Sequence, residues 1–209
     1  VVEEAIKNKV ELIIVHHPLI FSALKSINID TYKGKIIEKL IKSDISLYVA
    51  HTNFDVSAYG MNTMLANMLN LKDQEVLELT TEDEGLGKVG TVDPVSIMEY
   101  IETVKETFKV NNARFIGDVN KTVNKVAITG GSGSSTINSA SNSGVDLLIT
   151  GDISYHHAHD ALAINLNVLD IGHNIEKFFV NELKNILLNK GVKSNIIVSE
   201  INTDPYIFV

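Results

Sequence analysis

Cysteine is absent from this 209-residue chain. Disulfides and thiolate zinc sites are therefore excluded, and any metal must be met by His, Asp, Glu or water. Such donors suit harder or borderline ions. Arginine is nearly absent as well: Arg114 stands alone, within a formal net charge of -8. A nucleic-acid binder needs a clustered basic surface to displace counterions. None is visible, so nucleic acid is not an expected partner. No apolar run approaches the ~20 residues that span a bilayer, and no signal peptide is visible. No membrane association is expected, and the expected location is cytoplasmic. A starting Met is missing too. Val1-Val2-Glu3-Glu4-Ala5-Ile6 reads as the interior of an amphipathic helix, so an upstream segment, with strands of its own, is expected to precede it.

What is present is ordinary globular material, 44% hydrophobic and 21% charged, in a length that suits one large domain or two small lobes. Short apolar runs alternate with amphipathic helical stretches, the βα signature of a parallel sheet. Strands are expected at Glu11–Val15, Leu47–Ala50, Val123–Ile128, Val145–Thr150 and Val168–Ile171, with a further one at Ile196–Ser199. Helices are expected at Tyr32–Ile41, Met61–Leu69, Ser96–Phe108, His156–Ile164 and Ile175–Leu188. The fold class is thus α/β, with mainly parallel sheets in two related lobes. Residues 1–71 form the first lobe, N-terminally incomplete. Residues 72–92, acidic and poorly periodic, form a connecting segment, and residues 93–209 form the second lobe. A weak internal repeat supports this division: VELIIVHH from Val10 resembles VDLLITGD from Val145, and each is followed by a helix and a second strand.

The seven histidines fall in four places, each at or just after an expected strand end. In parallel α/β sheets that edge is where ligands bind. Alternating strand geometry would send His16 and His17 to opposite faces. They share a site only if the backbone turns, and Pro18 favours that by keeping His17 out of helical conformation. The alternative is a hydrogen-bonded structural pair. Asp55, closing the HTNFD run from His51, can supply an oxygen ligand or merely cap the next helix. His51 can be a ligand, a supporting donor or a general base. His173 and Glu176, three apart, share a helix face and can grip one ion together, with Asn174 as a candidate cap. The alternative for Glu176 is simple attraction to the helix dipole. His156, His159 and Asp160 share another face and can orient ligands or carry protons. The loop TGGSGSS from Thr129 lacks the Walker lysine, so a tight turn is a better reading than a phosphate cradle.

Four segments together, HHPLIFSALKSI from His16, AHTNFDVSAYGMNTMLANMLNL from Ala50, GLGKVG from Gly85 and TGDISYHHAHDALAINLNVLDIGHNIEKF from Thr150, resemble the GTP cyclohydrolase I type 2 homologues, or NIF-three-like proteins. The resemblance implies a fold of two α/β lobes and a dinuclear centre holding two divalent ions, with Zn, Fe, Mn and Ni not distinguishable. The implied ligands are His16, His17, Asp55, His173 and Glu176, the glutamate bridging both ions. Many members space the last pair as H-x-x-x-E; here it is H-x-x-E, as in a subset. Pocket positions fall on His51, Asp152, His156, His159 and Asp160, with His51 and His156 as candidate catalytic proton carriers. The resemblance further implies a homohexamer. It also implies a metal-dependent hydrolase acting on GTP, another nucleotide or a phosphoester. The competing role is a non-enzymatic metal-handling protein or hexameric scaffold. Some members insert a domain between the lobes, and this chain passes directly from ELTTEDE to GLGKVG.

Overall fold

The structure is a computed structural model describing residues 1–207; the last two residues of the expected second lobe lie outside the described residues. The chain opens with α1 (Val2–Lys7), then β1 (Leu12–Val15), α2 (Tyr32–Lys42) and β2 (Ser46–Val49). β1 and β2 pair in parallel as a two-stranded sheet, Leu12 against Ser46 through Val15 against Val49. Thr31 starts α2 by accepting from Gly34 N–H through its side chain, satisfying one of the free donors at a helix start. The small sheet's core is Ala5, Ile13, Leu40 and Ile45.

The chain continues with α3 (Thr52–Asp55), α4 (Met61–Met68), β3 (Lys72–Leu79), β4 (Gly85–Ser96), α5 (Ile97–Phe108), β5 (Arg114–Ile116) and β6 (Thr122–Ser132). After a 3-10 turn at Ser134–Thr136 come α6 (Ile137–Asn142), β7 (Leu147–Gly151), α7 (Tyr155–Ala163) and β8 (Asn167–Asp170). A 3-10 stretch at His173–Phe178 leads into α8 (Phe179–Asn189). Strands β3 to β8 form one six-stranded sheet in the order β3-β4-β6-β7-β8-β5. It is mixed: β6, β7 and β8 run parallel, β4 and β5 pair antiparallel with β6 and β8 on either side, and β3 pairs antiparallel with β4 at the edge.

The central strands explain their own sequences. Val126, Ile128, Leu147, Ile149 and Leu169 face one core with α4 and α5. Ala127, Leu148 and Val168 face the other with Ile137, Ala140 and Ala161. A strand covered on both faces reads as an unbroken apolar run, as LLIT does here.

Three expectations change. The stretch 72–92, expected as a poorly periodic connection, forms β3 and most of β4, joined by a hairpin turn in which Thr80 and Thr81 N–H donate to Glu84 O. The helix expected at Ile175–Leu188 begins as a 3-10 stretch at His173 and turns α-helical only at Phe179. Ile196–Ser199 is not a strand; its apolar residues lie in irregular chain, where Ser199 is tied to Glu4 by a side-chain hydrogen bond. Among the described residues no helix is long and apolar enough to cross a membrane.

Candidate metal centre

Strand ends from both sheets meet at one place. β1 delivers His16 and His17, β2 delivers His51, and α3, which starts immediately after His51, ends at Asp55. From the large sheet, the turn after β8 delivers His173 and Glu176.

The buried His16 donates from Nδ1 to Ala50 O at 2.7 Å. A carbonyl only accepts, so the proton must sit on Nδ1, and Nε2 of the neutral ring carries its lone pair outward. That nitrogen stands 3.5 Å from Asp55 Oδ1 and 3.5 Å from Glu176 Oε2. The same Glu176 oxygen lies 2.8 Å from His17 Nε2 and 3.2 Å from His173 Nε2. Pro18 and the bend at residues 16–17 let two adjacent histidines converge on this carboxylate. The His51 ring packs at 5.2 Å from His16 and 5.5 Å from His17, edge to face.

A 3-10 stretch has three residues per turn, so positions i and i+3 eclipse. His173 and Glu176 are therefore stacked more closely than α-helical geometry would set them. Gly172, not Asn174, is the cap of that stretch; Asn174 instead donates to Asp204 Oδ2. Asp55 is not a cap either, since α4 starts from Gly60, and its side chain faces His16.

The carboxylates and imidazoles perturb one another. Burial pushes Glu176 upward, but its contacts with the imidazoles of His16, His17 and His173 outweigh that effect and hold the carboxyl far below its usual range. The Glu176 contact raises His173 to about 9 against the burial of its ring, with Asp152 adding to the rise. Burial raises Asp55 to about 6, opposed by the neighbouring imidazoles. His16 is opposed by burial yet ends raised, because Glu176 and Asp55 favour its charged form. His51 is lowered, first by burial and then by the charges of His16 and His17.

Does this donor set fit cations? Two ligands about 2.1 Å from one tetrahedral ion stand roughly 3.4 Å apart. The two 3.5 Å separations at His16 match that spacing better than they match good hydrogen bonds, whereas His17 at 2.8 Å and His173 at 3.2 Å stand at hydrogen-bonding distance from the carboxylate. Three overlapping groups have donor atoms within 4.8 Å of one another: His16, Asp55 and Glu176; His17, His173 and Glu176; and His16, His17 and His51. The residues fit metal.

Further residues support the cluster, and of these Asn62 escaped the sequence reading. Asn62, buried in α4, donates to Asp55 O at 2.9 Å and accepts from Gly130 N–H at 2.9 Å, so one amide ties a donor from the small-sheet side to the large sheet. The run MNTMLA offers two polar residues, Asn62 and Thr63, and no local spacing distinguishes them. Gly131 has φ +61°, and a Cβ there would meet Glu176 Oε1 at 2.2 Å. The TGGSGSS loop is thus a close-packing turn, shaped to let the glutamate in. Asp152, after β7, holds His173 Nδ1 at 2.6 Å. Among the described residues, His156 makes no hydrogen bond or ion pair with the cluster; its ring stacks edge-on with Tyr155 at 5.7 Å. His159 likewise packs on Tyr155, at 4.6 Å.

Residues 1–205 match the family model described as Duf34/NIF3 (NGG1p interacting factor 3). This chain belongs to the Duf34/NIF3 family. Among its Duf34/NIF3 relatives, a Streptococcus pneumoniae protein named GTP cyclohydrolase 1 type 2 homolog is 37% identical over 213 residues, covering 98% of this chain and 80% of that protein. A Listeria innocua protein of the same name is 31% identical over 321 residues, covering 100% of this chain and 86% of that protein. That span exceeds 209 residues, so the Listeria relative carries inserted residues that this chain lacks. The crystal structure of a Bacillus cereus protein related to NIF3 superposes with a TM-score of 0.90 at 30% identity, covering 100% of this chain and 86% of that one.

Proposed function

We propose that this Duf34/NIF3 protein holds two divalent cations and uses them in a hydrolytic reaction. The observation that carries the reading is Glu176 Oε2, a single carboxylate oxygen within 3.5 Å of Nε2 on His16, His17 and His173. His16, Asp55 and Glu176 would hold one cation, and His17, His173 and Glu176 would hold the other. When bound, such a pair supplies Lewis acidity and lowers the pKa of water. Zn, Fe, Mn and Ni all suit the donors. His51 belongs to neither set. Its ring packs edge to face on His16 and His17, which places it beside both donor sets as a proton acceptor. His156 has no comparable placement. The relatives' name makes GTP the first substrate to try, with other nucleotides and phosphoesters next. The protein works in the cytoplasm as a homohexamer on this reading.

One observation favours a second role. His17 is 55% exposed, so one cation site opens to solvent. That suits a protein that stores or delivers ions.

One comparison separates the two. The metal-loaded protein is assayed against GTP and a panel of nucleotides and phosphoesters, beside Glu176→Ala. Turnover that vanishes in the folded variant supports the hydrolase. Full metal occupancy without turnover of any substrate rejects it and leaves metal handling.

A further inference from the structure

Two turns at the edge of the large sheet approach the cluster, one after β7 with Asp152 and one after β8 with His173. A single buried carboxylate ties them together. Asp170 is 4% exposed. Its Oδ2 accepts from Ile153 N–H at 2.9 Å, and its Oδ1 accepts from Gly172 N–H at 3.0 Å. Arg114 pairs with the same Oδ2 and donates to Ile153 O at 2.8 Å. The chain's only arginine thus offsets the buried charge and pins the turn that follows Asp152.

Asp152 itself has φ +56°, a left-handed conformation that residues other than glycine seldom adopt. Six other non-glycine residues among those described share that region, so what singles Asp152 out is the partner its side chain meets. Asp152 Oδ2 reaches His173 Nδ1 at 2.6 Å.

We propose that Asp152 is a positioning residue, which fixes His173 with its Nε2 turned toward Glu176 and thereby sets the strength of one of two cation sites. This rests on the reading of the cluster as a metal centre. The carboxylate accepts Nδ1–H, so the lone pair of the neutral ring is left on Nε2, 3.2 Å from Glu176 Oε2. His16 obtains the same orientation from the backbone carbonyl of Ala50, which no substitution at that position removes. The two sites therefore differ in vulnerability. The His16 site is oriented by the main chain, and the His173 site by one replaceable side chain.

The test uses Asp152→Gly, which deletes the carboxylate while tolerating positive φ, and Asp152→Asn, whose amide oxygen can still accept from Nδ1–H. Zn²⁺ affinity is measured on the full chain by chelator competition, and thermal melting confirms folding. Asp152→Gly is expected to weaken one of the two ions by about 10–100-fold, the usual cost of removing an orienting partner, and the other by no more than about twofold. Asp152→Asn is expected to recover most of the loss. NMR of the metal-free wild type should show a slowly exchanging, downfield Nδ1 proton on His173, absent from the Gly variant. Equal weakening of both ions, failure of Asn to rescue, or persistence of that proton in Asp152→Gly would each overturn the proposal. Wild-type protein that takes up no Zn²⁺ sinks the metal-centre reading and this role with it. Two tightly bound ions in Asp152→Gly sink this role alone.

Discussion

In the large sheet, β7 is buried at all five residues, whereas in the small sheet Ile13 is the only buried residue across β1 and β2. Both sheets nevertheless send donors to the same cluster. They hold those donors differently. The small-sheet side locks His16 with a main-chain carbonyl and leaves His17 half exposed. The large-sheet side surrounds Glu176 and His173 with a glycine turn and a carboxylate, on strands covered on both faces. Beneath the site, Phe54 and Phe179 pack edge to face at 5.2 Å, with His16 5.3 Å from Phe179, and join the two halves. A precise site can thus be assembled across one thick core and one thin one, provided that the thin side is fixed by backbone contacts. Regions with few buried apolar contacts open at lower free energy, so the small sheet is the side expected to loosen first.

The largest expected effect compares the two cores. Leu148→Ala, at a fully buried position in β7, should cost about 2–5 kcal/mol in denaturant unfolding. Leu47→Ala, at a half-buried position in β2, should cost about half of that, since much of the side chain already meets water. Equal losses would remove the distinction between the sheets.

Next come the donors. His17→Ala and Asp55→Ala each strike a different donor group, so each should reduce the bound metal from two ions to about one per chain in elemental analysis. Retention of both ions in both variants would break the assignment.

The smallest effect is a pH dependence, and its sign is fixed by His173. The metal-free protein raises this group from 6.5 to about 9, mainly through Glu176. A folded pKa above the unfolded one contributes stability that is complete below pH 6.5 and lost as pH rises through about 9. Thermal melts of the metal-free protein should therefore fall across that window. A cation needs the neutral imidazole, so its affinity rises over the same range, and added Zn²⁺ should flatten or reverse the fall. Metal-free stability that climbs from pH 6.5 to 9 would contradict the cluster's electrostatics.

The sequence showed the parallel core well because β6, β7 and β8 bury both faces and so read as plain apolar runs. It hid β3 and β4 for the opposite reason. β3, an edge strand, is exposed at most positions, so KDQEVLEL carries little pattern. β4 contains Pro94, which the pairing accommodates where its register shifts between Thr91 and Val95. β5 has only three residues. At the site, strand-end placement drew attention to His16, His17, His51 and His173. Asn62 and Asp170 act through contacts 68 and 17 residues away in sequence, which no local spacing reveals. The 3-10 geometry at His173 was equally hidden, because the apolar spacing of the following helix continues through it.

The most direct measurement is a crystal structure of the protein loaded with Zn²⁺, with anomalous scattering to locate the ions. Two peaks about 3.5–4 Å apart, flanking the Glu176 carboxylate, are the predicted result. One peak alone, or two peaks that do not share Glu176, would contradict the account.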